Sequence, residues 1–165
     1  TEHLLELGHQ RIGIITGTNV QTAIDFRETF EATCARQGVT GSDIPWVDGD
    51  FREEGGYSAT EKLLTKHPDL TAIMAGNDKM ALGALRYIQS QGKRVPEDIS
   101  VMGVDDLPIA RFTTPELTTV RHELYEMGRM ACEHVLALCK DPSGTCRKIM
   151  PVELVVRGST GPARN

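Results

Sequence analysis

The chain alternates between two hydrophobic patterns. Short unbroken apolar runs, RIGIIT (11–16), IPWV (44–47), TAIMA (71–75) and ISVMGV (99–104), read as strands buried on both sides. Between them lie segments with apolar residues at helical spacing. Residues 22–37 bring Ile24, Phe26, Phe30 and Cys34 near one face, with Gly38 as a C-cap. Residues 53–66 turn Tyr57, Leu63 and Leu64 inward and stop before Pro68. Asn77 or Asp78 caps a further helix running through MALGALRYIQSQ to Gly92. Strands separated by helices of ordinary length are successive βαβ units. The pattern therefore predicts an α/β fold, a parallel sheet with helices on both faces.

After residue 105 the alternation stops. Pro108 and Pro115 interrupt LPIARFTTPELTTV, which ends in a short extended LTTV. Residues 123–140 predict a long helix with Leu124, Met127, Ala131, Val135 and Leu138 as one stripe. DPSGT (141–145) is a turn, KIMPVELVVR (148–157) is extended apart from Pro151, and GSTGPARN reads as a loose polar tail. The opening TEHLLELGHQRIGII lacks the order of a signal peptide and reads as a chain that begins inside a helix, which implies truncation.

Composition narrows the partners. With 18 basic against 23 acidic residues the formal net charge is −5, and no Lys/Arg cluster is present to track phosphates. Direct nucleic-acid contact is not expected. No apolar run approaches the roughly 18 residues of a membrane span. Of Cys34, Cys132, Cys139 and Cys146, three fall in predicted helices among apolar residues. They read as buried, reduced thiols of a cytoplasmic protein, ahead of a Cys139–Cys146 bridge or a zinc site.

In open parallel sheets, ligands bind beyond the carboxyl ends of the strands. Here those ends open into Gly17-Thr18-Asn19, Asp48-Gly49-Asp50-Phe51, Gly76-Asn77-Asp78 and Asp105-Asp106. Carboxylates and an amide beside an aromatic ring suit a sugar or a nucleoside. The same acids, Asp48, Asp50, Asp78, Asp105 and Asp106, also compose a possible magnesium site for phosphoryl transfer. Each has a plainer reading as a cap or a turn residue, Asp78 above all as a helix cap. His122 lines a cleft or caps the next helix, and Arg27 reaches the first loop or stays in solvent. The remaining histidines show no metal-ligand spacing, and neither a nucleophile elbow nor a P-loop occurs. No catalytic residue, cofactor or metal is expected.

Taken in order, GHQRIG, GDFREEGGY, AGNDKMALGAL, VPEDISVMGVDD, PELTTV and PVELVVRGST resemble the effector-binding core of LacI/GalR repressors from about Glu2 to Thr160. The resemblance implies a Rossmann-like subdomain of a type I periplasmic-binding-protein-like fold. It divides the chain into a C-terminal subdomain (1–120), a crossover helix of the other subdomain (121–147), a returning strand segment (148–160) and a flexible tail (161–165). The stripe on the crossover helix would then be partly exposed. The resemblance further implies a small effector held between two subdomains, a homodimer, and operator DNA bound only through an N-terminal domain outside this sequence. By motif, Asp105 grips effector hydroxyls, Asn77 adds a polar contact, Phe51 stacks on a ring and His122 lines the cleft. The family's helix arginine falls at Phe26 when counted back from Gly38, one position from Arg27, the candidate for that role. A transport or chemotaxis receptor of the same fold, the magnesium enzyme, and a purely structural dimerisation module are the competing readings.

Overall fold

A computed structural model describes residues 1–18, 21–39, 44–145 and 147–164. The elements are α1 (Glu2–Glu6), β1 (Ile12–Thr16), α2 (Gln21–Arg36), β2 (Trp46–Asp48), α3 (Glu53–Lys66), β3 (Ala72–Ala75), α4 (Asp78–Ser90), β4 (Ser100–Asp105), β5 (Thr118–His122), α5 (Leu124–Lys140) and β6 (Val152–Val155). A short 3₁₀ turn spans Pro108–Arg111. One six-stranded sheet has the order β2-β1-β3-β4-β5-β6. Its first five strands are parallel, and β6 closes the far edge antiparallel to β5.

The sheet sorts its side chains by alternation even though both faces are covered. Ile12 and Ile14 of β1, Ala72 and Met74 of β3, and Met102 of β4 pack with Phe30 and Cys34 of α2 and Leu4 of α1. Ile15, Ile73, Ala75 and Val101 face the other way, onto Leu63 of α3 and Met80, Ala84 and Ile88 of α4. Helices α3 and α4 cross at two glycines. A Cβ on Gly56 would overlap the Met80 backbone, and one on Gly83 would overlap Glu53 O and Tyr57 N. EEGGY and MALGAL therefore encode a close backbone approach that a larger side chain would prevent.

The amino ends of the central strands are tied by a buried histidine. His9 is 1% exposed. Its Nδ1 meets Thr71 Oγ1 at 2.9 Å, and its Nε2 lies 3.0 Å from Gly161 O and 3.1 Å from Ser100 Oγ. A carbonyl only accepts, so Nε2 carries the proton. Burial pushes the imidazole below its usual pKa, opposed by the bond to Gly161.

Several expectations are corrected. The polar segment from Gly158 is fastened rather than loose. Buried Ser159 donates to Val101 O at 2.6 Å and accepts from Thr118 N–H at 2.8 Å, and Ala163 N–H donates to Leu7 O at 2.8 Å. Cys132 and Cys139 are exposed, and only Cys34 of the described cysteines is buried. They lie on α5, which has no buried residue. Cys146, and with it the Cys139–Cys146 pairing, lies outside the described residues. The strand expected at 44–47 is Trp46–Asp48, an edge strand exposed at both ends rather than a buried one. The final extended segment contributes a strand only over Val152–Val155.

Candidate functional site

Because β1 to β5 are parallel, their carboxyl ends share one edge, and the candidate residues gather along it. Phe51 leaves β2 in a left-handed conformation, φ 63°. Its ring leans across the end of β1, where a Cβ on Gly17 would collide with it. Glycine at 17 thus makes room for the aromatic. The loop is pinned from below by Gly49 N–H, which donates to Thr16 O at 2.7 Å. Asp50 turns back into its own chain and accepts from Arg52 N–H at 2.9 Å.

Asn77 caps α4, and Asp78 does not. Asn77 Oδ1 accepts from Met80 N–H at 2.9 Å, while its Nδ2 donates to Phe51 O at 3.1 Å. The amide is committed to the scaffold on both sides, and it couples the Phe51 loop to the helix start. Asp78 is fully buried. It accepts from Thr119 Oγ1 and, at 2.7 Å, from Leu107 N–H. Burial drives its carboxyl above the ordinary range, and these two bonds pull it back only in part. The cap reading of Asp78 is therefore replaced by a cross-link from α4 to β5 and the loop after β4.

Asp105 ends β4 with φ 119°, opposite Arg121 of β5. It is half-buried, and among the described residues its carboxylate makes no hydrogen bond or ion pair. Burial raises its pKa, and nearby His122 lowers it in part. The next residue behaves in the opposite way. Asp106, at φ 54°, accepts from Arg121 Nε at 2.7 Å and from Arg157 Nη2. Burial would push this carboxyl up, but the two guanidinium bonds outweigh it and hold it below the usual range.

The row from Phe51 over β1, through Asn77 after β3 and Asp105 after β4, to His122 at the end of β5 crosses three strand spacings. That is roughly 14 Å at about 4.8 Å each. Half-buried His122 closes the row. Arg27 lies towards the opposite edge. Its guanidinium sits 4.7 Å from the Trp46 ring centroid, within a notch lined also by Thr16, Gly17 and Asp48. Asp48 is held there by Thr16 Oγ1 at 2.8 Å. Arg27 also stands 3.7 Å from Glu31. Two features escaped the sequence reading. Trp46 was signalled only as the one large aromatic of a short strand. The clamp on Asp106 had no local signal, because Arg121 and Arg157 are remote in sequence. Among the described residues, no group of three or more His, Cys, Asp or Glu side chains could hold a metal. No helix among them is long and apolar enough to cross a membrane.

A periplasmic binding protein-like domain family matches residues 1–160. The chain is 40% identical over 137 residues to the HTH-type transcriptional repressor PurR of Haemophilus influenzae, covering 82% of this chain and 41% of that protein. It spans less than half the length of that relative. Its fold superposes on a LacI family transcriptional regulator from Enterococcus faecium with bound ribose (TM-score 0.88, 30% identity, 98% of this chain and 61% of the other). It also superposes on the lac repressor dimer bound to operator and the anti-inducer ONPF (TM-score 0.88, 32% identity, 97% and 56%). The strand order, the acidic carboxyl edge and these likenesses agree, and the chain belongs to the periplasmic binding protein-like domain family, as the effector-domain type found in LacI-family regulators.

Proposed function

We propose that this chain senses a small polyhydroxylated or nucleoside-like effector at the carboxyl edge of its sheet, as part of a transcription regulator. The observation that carries the reading is Asp105: a half-buried carboxylate, at a strand end, with no protein partner among the described residues. A partly desolvated carboxylate without a protein partner keeps its acceptor sites open to water or to a ligand's donors. Two vicinal hydroxyls would supply such donors. Phe51 offers a face to the sugar or base ring, His122 borders Asp105, and Arg27 beside Trp46 supplies a cation at the far corner. Asn77 contributes chiefly by holding the Phe51 loop.

In this reading residues 1–120 form one wall of the ligand cleft. Residues 121–147 belong to a second subdomain, and 148–160 return to the first. The uncovered α5 supports that division. Effector binding favours one orientation of the two walls, through its differential affinity for the two states. Operator DNA is contacted by a part of the regulator outside this sequence, consistent with the acidic balance of this chain. The assembly is a cytoplasmic regulator without catalytic activity, and it is a homodimer, a reading that the dimeric, operator-bound lac repressor supports.

Amide chemical shifts in this chain, titrated with ribose, cellobiose, inosine and magnesium, test the proposal. Saturable shifts at Phe51, Asn77 and Asp105 with one sugar or nucleoside are expected. A response to magnesium alone at Asp48, Asp50 and Asp105 would replace the reading with a metal-dependent one.

A further inference from the structure

The chain leaves the sheet through β5 and re-enters through β6, and these two strands pair side by side, His122 opposite Val152 and Arg121 opposite Glu153. One buried carboxylate joins both strands to the loop that carries Asp105. The Asp106 side chain is only 3% exposed. Its Oδ2 accepts from Arg121 of β5, whose Nη1 continues to Glu153 of β6 at 3.0 Å. Its Oδ1 accepts from Arg157, just past β6. Arg157 in turn donates from its backbone N–H to Thr118 Oγ1 at 2.9 Å, at the start of β5, and from Nη1 to Leu117 O at 2.7 Å, just before it. Arg111 approaches from the 3₁₀ turn at 3.9 Å.

Asp105 and Asp106 both hold positive φ angles, a conformation that non-glycine residues keep only when their surroundings enforce it. Asp105 has no side-chain anchor of its own. Its backbone pairs with Arg121 of β5, Asp78 holds Leu107 N–H beyond it, and the side-chain bonds nearest to it are those of Asp106. A buried carboxylate is stable only while its cations are in place, and removing either side leaves an uncompensated charge.

We propose that Asp106 is a positioning residue that fastens the two connecting strands to the Asp105 loop, so that the pose of Asp105 and the register of β5 with β6 are set together. The proposal rests on the assignment of Asp105 as an effector contact. It adds the route by which that contact is felt where the chain crosses to the rest of the regulator.

Hydrogen exchange by NMR tests it in this chain. Asp106→Asn should speed exchange at least tenfold at Asp105–Leu107 and at paired residues of β5 and β6. Amides of Ile14, Ile73 and Ala84 should stay within about twofold. Arg121→Gln, which leaves the Arg157 pair in place, is the milder variant and should give a smaller change at the same residues. Arg111→Gln, removing only a distant exposed cation, should leave them unaltered. A uniform increase throughout the sheet, or faster exchange in β5 and β6 without any at Asp105–Leu107, would overturn the proposal. Titrating the same samples with ribose and inosine separates the two ideas. If neither moves Asp105 in the unaltered chain, the effector assignment fails, while the exchange pattern still decides the fastening.

Discussion

Asn77 holds Phe51 by its main chain: the asparagine Nδ2 donates to the Phe51 carbonyl at 3.1 Å while its Oδ1 caps the helix that follows. One side chain thus serves a stability role and a site role through different atoms. Asn77→Asp keeps the acceptor and loses the donor, so helix capping survives and the Phe51 loop is released. Urea denaturation should report a change below about 1 kcal/mol, whereas Asn77→Ala should cost about 1–2 kcal/mol. Both variants should weaken the binding of whichever sugar or nucleoside shifts the wild-type amides.

Asp105→Asn should separate binding from stability in the opposite direction. Burial lifts the folded-state pKa of Asp105 above its unfolded value. The folded chain then holds this proton more tightly, and stability from this group falls as pH rises from the unfolded pKa through the folded one. The amide removes that loss. Calorimetry should show a higher Tm for the variant at pH 7, with the gain fading below about pH 4. Effector affinity should drop by roughly tenfold to a hundredfold, the scale of a hydrogen bond to a charged group. A lower Tm at pH 7 would contradict the assigned environment.

Two glycine substitutions should fail in different places. Gly83→Ala drives a methyl into the backbone of α3 and should destabilise the chain by about 1–3 kcal/mol in denaturant melts. Gly17→Ala displaces the Phe51 ring instead. Its chief effect should be on ligand-induced shifts at Phe51, with a smaller change in Tm than at Gly83.

The buried His9 makes the fold sensitive to mild acid. Its folded pKa lies below the usual 6.5. Unfolded chains therefore take up the proton first, and stability should decline as pH falls through 6.5 towards the folded value. Tm measured from pH 7.5 to 5.5 should slope downwards in the wild type and less steeply in His9→Gln. Equal slopes would remove His9 as the cause.

The central part of the fold was legible because its strands are apolar runs and its helices carry ordinary spacing and caps. TAIMA and MALGAL state their structure within a few residues. The failures share a different origin. Cys132 and Cys139 sit on an amphipathic helix whose pattern announces burial, but amphipathicity says only that a face wants cover, and α5 is uncovered here. The tail from Gly158 looked loose because its composition is polar, yet Ser159 and Gly161 bond to groups on β4, far off in sequence. The site was half legible. Phe51, Asn77, Asp105 and His122 do stand on one edge, as parallel strand ends require. Nothing local told Asp105 from Asp106, whose opposite environments depend on Arg121 and Arg157.

The pairing of His122 with Val152 places the exit and the return of the chain one strand spacing apart. Topologically, residues 123 to 151 connect two strands that pair as the arms of a hairpin would. Splicing a two-residue Asn-Gly turn across that gap would leave the wiring of the remaining sheet intact, and shortening a loop relieves only about 0.6 kcal/mol per halving. The juncture thus asks of any connecting segment only that its two ends lie about 5 Å apart, the spacing of neighbouring strands.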